Sequence, residues 1–179
     1  YAPWTNNGTI GAHNGCTATL AAAWLNQGTF AVDATSTLNL GGTFPSTGLG
    51  TFDRTGGTVN LTGTMTNPGT FTLNSTTGDW RILGGKIVGG TVDATDGAEF
   101  VYTSSGGRLD DVTMDADMDL TAQSAYVYLD NDFTLNGKAT IGQNAGLYFS
   151  GGTQQLLGNG EIQLSGNSSQ IYNYGSLSV

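Results

Sequence analysis

The chain has 179 residues, of which 29 are Gly, one is Cys and only 11% are charged, and its net charge of −9 comes almost wholly from Asp. A single cysteine excludes an internal disulfide framework and a multi-thiolate metal site. An acidic surface with no Lys/Arg cluster disfavours nucleic acid and anionic lipid as partners, and no apolar run is long enough to cross a bilayer.

Helix-forming Glu, Lys and Arg number two, two and three, whereas Thr, Val, Ile, Phe, Tyr, Gly and Asn abound. That balance predicts an all-β protein with many turns. In chain order, the first element is the corner and strand start Asn6-Asn7-Gly8-Thr9-Ile10. NQGTF follows, ending at Phe30, then GLGTF at Phe52, NPGTF at Phe71 and VGGTV at Val92, with Val112, Phe133, Leu156 and Leu177 as further members. The gaps are 20, 22, 19, 21, 20, 21, 23 and 21 residues. An internal period of this size is the mark of a repeat architecture.

Two more apolar series share the period. One runs Leu20, Leu40, Leu61, Ile82, Tyr102, Leu120, Ile141 and Ile162. The other runs Trp24, Phe44, Met65, Ile87, Leu109, Leu129, Phe149 and Ile171. Leu38-Asn39-Leu40, Phe71-Thr72-Leu73 and Phe133-Thr134-Leu135 alternate apolar and polar residues, as a strand with one buried side does. Glycine pairs such as Gly41-Gly42, Gly84-Gly85 and Gly151-Gly152 supply corners between such strands. Three ladders in one phase predict a right-handed parallel β-solenoid with three strands per coil, about 21 residues per coil and eight to nine coils. At a strand spacing of roughly 4.8 Å the rod would be about 40 Å long. Residues 1–179 are expected to form one domain, uncapped at both ends. Because the chain starts at Tyr1, not Met, it is expected to be a processed product or a segment of something longer.

Near the start, His13 and Cys16 are each alone of their kind, and Cys16 in a Thr/Ala stretch is expected to be a small core residue. Asn6, Asn26, Asn67 and Asn173 begin Asn-x-Gly corners whose side chains would bond one another and the turn backbone. A column Thr9, Thr29, Thr51, Thr70, Thr91 is expected to give way to Asp111 and Asp132 and so to form no continuous threonine array. In mid-chain, Val112, Met114, Met118 and Leu120 should point inward, leaving Asp115, Asp117 and Asp119 on one outer face. Stacked carboxylates of this kind are candidate ligands for Ca²⁺, although their spacing matches neither an EF-hand nor a Gly/Asp nonapeptide repeat. Further on, Tyr126 and Tyr128 alternate with Val127 and Leu129 and should lie outside. With Tyr148, Tyr172 and Tyr174 they would form either a glycan-contacting surface or an intercoil tyrosine stack. At the ends, Trp4, Ile10, Leu177 and Val179 would cover unpaired layers and are the candidates for self-association.

The strings GGTVNLTGTMTNPGTFTLNS and FTLNGKATIGQNAGLYFSGGTQQLLGNGEIQL resemble repeats of large bacterial surface and autotransporter-type proteins with a right-handed parallel β-helix. The resemblance covers essentially the whole chain and implies an extracellular or cell-surface adhesin, fibre or stalk, with no named active site carried over. The pair Asp110-Asp111 resembles the acidic pair of β-helical polysaccharide hydrolases, but His13 precedes it by several coils and basic residues are scarce. A catalytic role is therefore not expected. The expected function is a structural module that continues end to end, through copies of itself or flanking repeats, with glycan or calcium binding as the alternative and no cofactor required.

Overall fold

The computed structural model describes residues 2–179. It is a β-solenoid of about eight turns, with equivalent positions roughly 21 residues apart. Each coil carries three short strands, begun by Trp4–Asn6, Thr9–Ala12 and Thr17–Leu20 in the first coil. Every strand pairing among the described residues is parallel. The strands that follow Trp4–Asn6 in register make the third face, those above Thr9–Ala12 the first, and those above Thr17–Leu20 the second.

The second face is one unbroken sheet of eight strands, from Thr17–Leu20 to Glu161–Leu164. Its inner column runs Leu20, Leu40, Leu61, Ile82 and Tyr102, and Leu120 pairs with Ile141. The third face stacks Phe44, Met65, Ile87, Leu109, Leu129 and Phe149, all essentially solvent-free. Aliphatic and aromatic side chains of all three faces merge into a single core. No coil can bury its apolar side alone, so the stack is the smallest stable unit.

The core changes character along the axis. In the early coils it is aromatic: Trp24 lies on Phe44 at 4.1 Å and 18°, and Phe30 and Phe52 stand 5.6 Å apart. The first face breaks between Thr51–Arg54 and Thr70–Leu73, which do not pair. Trp80, fully buried, bridges that break with ring centroids 5.9 Å from Phe52 and 5.0 Å from Phe71. Beyond Phe100 the core becomes mostly aliphatic.

The strands Arg108–Met114 and Tyr126–Leu135 run from the third face onto the first without a gap. They bend at Asp111 and Asn131, whose φ angles are 56° and 60°. Asp and Asn tolerate this left-handed geometry better than other non-glycine residues. The bend shifts the register, and four ladder assignments change with it or near the end. Val92 pairs with Met114, not Val112; Ile141 with Leu164, not Ile162; Phe149 with Asn173, not Ile171; and Leu177 with Gln154, not Leu156. Each of the first three substitutes a residue two positions along. Such residues share one side of a strand, so alternation does not distinguish them. The threonine column is also longer than expected: Thr70, Thr91, Thr113 and Thr134 are in register, and Asp111 lies at the bend instead.

Candidate interaction surfaces

The first candidate surface is the pair of terminal coils. Trp4 is 40% exposed, and its indole Nε1 donates to the Ala21 carbonyl at 3.1 Å, which holds the ring over Trp24 at a centroid distance of 6.4 Å. Trp4–Asn6 pairs on one side only, with Trp24–Asn26. At the far end, Leu164, Ile171 and Val179 are 54%, 46% and 95% exposed although they occupy strands or strand ends whose earlier coils are closed. Ile10 and Leu177 are half-buried against the core. The five Lys/Arg and 14 Asp/Glu residues all lie between Asp33 and Glu161, so residues 2–32 and 162–179 carry none. Sequence reasoning named the ends but missed this charge segregation, which was visible in the bare sequence.

Of the Asn-x-Gly corners, only Asn6 and Asn26 bond one another; Asn67 bonds Ser46 and the Thr91 carbonyl, and Asn173 bonds Gly175. Asn6 Nδ2 donates to the Asn26 Oδ1 at 2.6 Å, and Asn26 Nδ2 donates to the Leu49 carbonyl at 2.9 Å. Asn26 and Asn67 are buried, and Asn67 Oδ1 accepts from the Ser46 hydroxyl at 2.7 Å. The stacked amides thus satisfy backbone groups that corners leave unpaired.

The second surface is an outward column on the third face. Lys86, Arg108, Tyr128, Tyr148 and Tyr172 follow one another in register, one per coil. Tyr128 and Tyr148 are 5.6 Å apart by ring centroid, Tyr148 and Tyr172 6.3 Å, and Tyr174 sits 4.6 Å from Tyr172. Tyr126 meets Tyr128 edge-on at 5.6 Å. The Arg108 guanidinium lies 4.9 Å from the centre of the Tyr128 ring. Both cations are also paired: Lys86 Nζ with Asp110 at 2.8 Å, and Arg108 Nε with Asp130 at 3.1 Å. Asp130 also accepts from the Ser150 hydroxyl, and Asp110 from Asn131 Nδ2. The hydrogen bond from Lys86 leads in holding the Asp110 carboxyl below its ordinary range, against the opposing effect of burial.

The acidic strip is arranged differently from the expectation. Val112, Met114, Met118 and Leu120 do point inward. Asp115 and Asp117, however, flank a corner at the buried Ala116, and only Asp119 lies in the following strand, Met118–Leu120. Each carboxylate has its own partner: Asp115 accepts from Asn136 Nδ2 at 2.7 Å, Asp117 from the Lys138 amide at 2.8 Å and Asp119 from the Thr121 amide at 2.8 Å. Asp117 and Asp119 line a hollow of about 240 Å³ with Glu99 and Lys138. Burial first, then the charges of Asp119, Asp79 and Asp117, raises the Glu99 carboxyl above its ordinary value. Glu99, between the VGGTV repeat and the Asp110-Asp111 pair, was not foreseen. Among the described residues no three His, Cys, Asp or Glu side chains form a group that could hold a metal ion.

The remaining singled-out residues are scattered. Asp110 lies in a strand and is ion-paired, whereas Asp111 is exposed at the bend. His13 Nδ1 is 3.9 Å from Asp33, and Cys16 is exposed, not a core residue as expected. Ser36, the equivalent residue one coil on, is buried, so Cys16 is exposed because its coil is the first of the stack described and has no coil on its outer side.

No protein-family model, curated protein or solved structure matches the chain. Its class is set by its own geometry: a repeat protein of the parallel β-solenoid type, compatible with a structural module.

Proposed function

We propose that the protein is a non-catalytic structural module, outside the cell, that forms or extends a rod by strand stacking at its terminal coils. One observation carries this reading: the terminal coils combine open strand edges and exposed Leu164, Ile171 and Val179 with a single charged side chain, Glu161, at the start of the last second-face strand. Charged residues on an edge are a common defence against unwanted pairing, and of these edges only Glu161–Leu164 carries one. The heterologous contact of one end with the other does not close, so it propagates along one axis. The bacterial surface setting rests on the repeat resemblance. Sedimentation and negative-stain electron microscopy over a concentration series test the reading. Rods that are multiples of one monomer length are expected, and monodisperse monomers at high concentration would refute it.

A second reading is favoured by the tyrosine column. Five rings on one face, flanked by Asp130 and Ser150 as hydrogen-bonding groups, offer apolar contact and polar contact side by side, which suits a neutral glycan. Tyr128→Ala with Tyr148→Ala should abolish retention on a neutral glycan array while leaving the melting temperature within a few degrees. Equal retention would remove this reading.

A further inference from the structure

We infer that the tyrosine face is an oxidative cross-linking site, in which a one-electron oxidant joins Tyr148 to Tyr128 as dityrosine and ties two neighbouring coils together covalently. The inference goes beyond rod growth and glycan contact and depends on neither.

Five of the seven tyrosines of the chain fall within residues 126–174, and their rings form one connected cluster. Tyr148 is its hub. Its ring centroid lies 5.6 Å from Tyr128, 6.1 Å from Tyr126, 6.3 Å from Tyr172 and 6.5 Å from Tyr174. Rings this close exchange an electron readily, so a radical formed on any of the five reaches Tyr148. The phenols of Tyr126, Tyr128 and Tyr148 stand on the outer side of their strands, because Val127, Leu129, Leu147 and Phe149 beside them fill the core. A diffusing oxidant meets these phenols first, whereas Tyr102, Trp24 and Trp80 are solvent-free and out of its reach. The hydroxyls are held loosely at the surface: Tyr148 donates to Gln170 Oε1 at 3.2 Å and Tyr126 to the Ser105 carbonyl at 3.4 Å. An oxidised phenol there can shed its proton to solvent.

Geometry selects Tyr128 as the partner of Tyr148. The two are register partners in adjacent parallel strands, Tyr126–Leu135 and Gly146–Phe149. Of the four rings around Tyr148, that of Tyr128 is nearest. Its interplanar angle to Tyr148 is 43°, against 83° for Tyr126, so the two rings lie more nearly side by side. Arg108, one coil before, lies 4.9 Å from the centre of the Tyr128 ring and occupies its other side. The pair sits inside the stack, with Arg108 in register before it and Tyr172 after it.

Hydrogen peroxide acting through a haem peroxidase supplies the oxidation. Each phenol gives up one electron and its hydroxyl proton and becomes a neutral phenoxyl radical. The two radicals join by a carbon–carbon bond between ring positions ortho to the oxygens. Each joined carbon then releases its hydrogen as a proton, and each oxygen takes one up, which restores both phenols. The pair loses two hydrogen atoms in all, and the peroxide accepts them and leaves as two waters.

The full chain carrying Cys16→Ser, which removes the exposed thiol as a competing reductant, is treated in dilute solution with a haem peroxidase and hydrogen peroxide. Denaturing electrophoresis separates linked single chains from linked pairs, and mass spectrometry of the digest names the joined tyrosines. The main product within single chains is expected to join Tyr128 to Tyr148. The linked chain should melt roughly 5–10 °C higher, because the bond closes a loop in the unfolded chain as a disulfide does. Tyr148→Phe keeps the ring and should lower the yield of dityrosine within single chains at least tenfold, whereas Tyr102→Phe should leave that yield unchanged. A main product between any other pair, dityrosine only between separate chains, none at all, or an undiminished yield in Tyr148→Phe would overturn the inference. A linked chain that melts no higher would overturn the tie between coils.

Discussion

Tyr102 tests the energetics of this core most cleanly. Its side chain is fully buried on the inner column of the second face, between Ile82 below and the coil of Leu120 above, and its hydroxyl has no hydrogen-bond partner in the protein. An unsatisfied buried polar group costs about 1–3 kcal/mol. Tyr102→Phe removes the hydroxyl and keeps the ring, so the core loses only one atom of packing. The variant should be more stable by about 1–2 kcal/mol, which for a domain of this size raises the melting temperature by roughly 2–8 °C. The alkaline limb supplies an independent check. Burial drives the Tyr102 phenol far above its ordinary value of 10.0 in the folded protein. Above pH 10 the unfolded chain loses this proton and the native protein keeps it, so stability falls as pH rises. The slope from this one group approaches about 1.4 kcal/mol per pH unit. Tyr102→Phe should remove that share of the slope. Urea melts at pH 7 and between pH 10 and 11.5 measure both effects. If the variant is destabilised by more than 1 kcal/mol at pH 7, the hydroxyl is satisfied in solution and the reasoning fails.

Trp24→Ala should cost about 3–5 kcal/mol, because the ring is solvent-free, stacked on Phe44 and bonded through Nε1 to the Gly41 carbonyl at 2.8 Å; chemical denaturation reads this directly. Gly42→Ala should destabilise by at least about 2 kcal/mol, since Gly42 has φ 67° and an added Cβ would fall against the Ala22 carbonyl oxygen. The neighbouring Ala22 holds φ 62°, so Ala22→Gly should raise stability by up to about 1 kcal/mol in the same melts. Asp33 accepts from the Asn14 amide at 2.7 Å, and that bond leads in lowering its carboxyl far below the ordinary 3.8. Its stabilising share is complete above the unfolded value and fades as pH falls below it, so Asp33→Asn should flatten the acid limb of a stability–pH profile below pH 4. End-to-end association should be insensitive to salt between 20 and 500 mM, whereas side-to-side bundling should grow as pH approaches the isoelectric point near 4.1; light scattering with microscopy separates the two.

The architecture was legible because three independent features share one period. Leu40, Phe44 and Phe52 each belong to a different ladder, yet each finds its partners about one coil away. Positions with two apolar candidates on the same side of a strand were not decidable. Val112 and Met114 are both buried, and only the bend at Asp111 decides which of them faces Val92. Polar residues inside the stack were invisible for a related reason. Gln154 is buried opposite Leu177 and is held by bonds from Nε2 to the Leu129 and Ser150 carbonyls at 3.0 Å, a role that no hydrophobic period reveals. The tyrosine face could be read because Tyr126 and Tyr128 alternate with apolar residues over a long strand. Its cationic continuation through Arg108 and Lys86 depends on register across coils, which composition does not supply.

The placement of charge separates the sides of the rod from its ends. Every side chain that contributes to the net charge of −9 lies between Asp33 and Glu161, and all but Glu161 lie outside the first and last strands of the three faces. Two rods approaching side by side bring like charges together, and the exposed Asp residues at corners are the first to meet. Two rods approaching end to end bring together coils that carry one Asp, Glu, Lys or Arg between them, Glu161, with open strand edges and exposed apolar groups in line. Lateral repulsion and axial stacking therefore act in the same direction: they penalise bundles and permit linear growth. A solenoid with charges spread evenly would lose this asymmetry even with the same fold. The functional information in this chain lies less in any cluster of reactive side chains than in where charge is withheld.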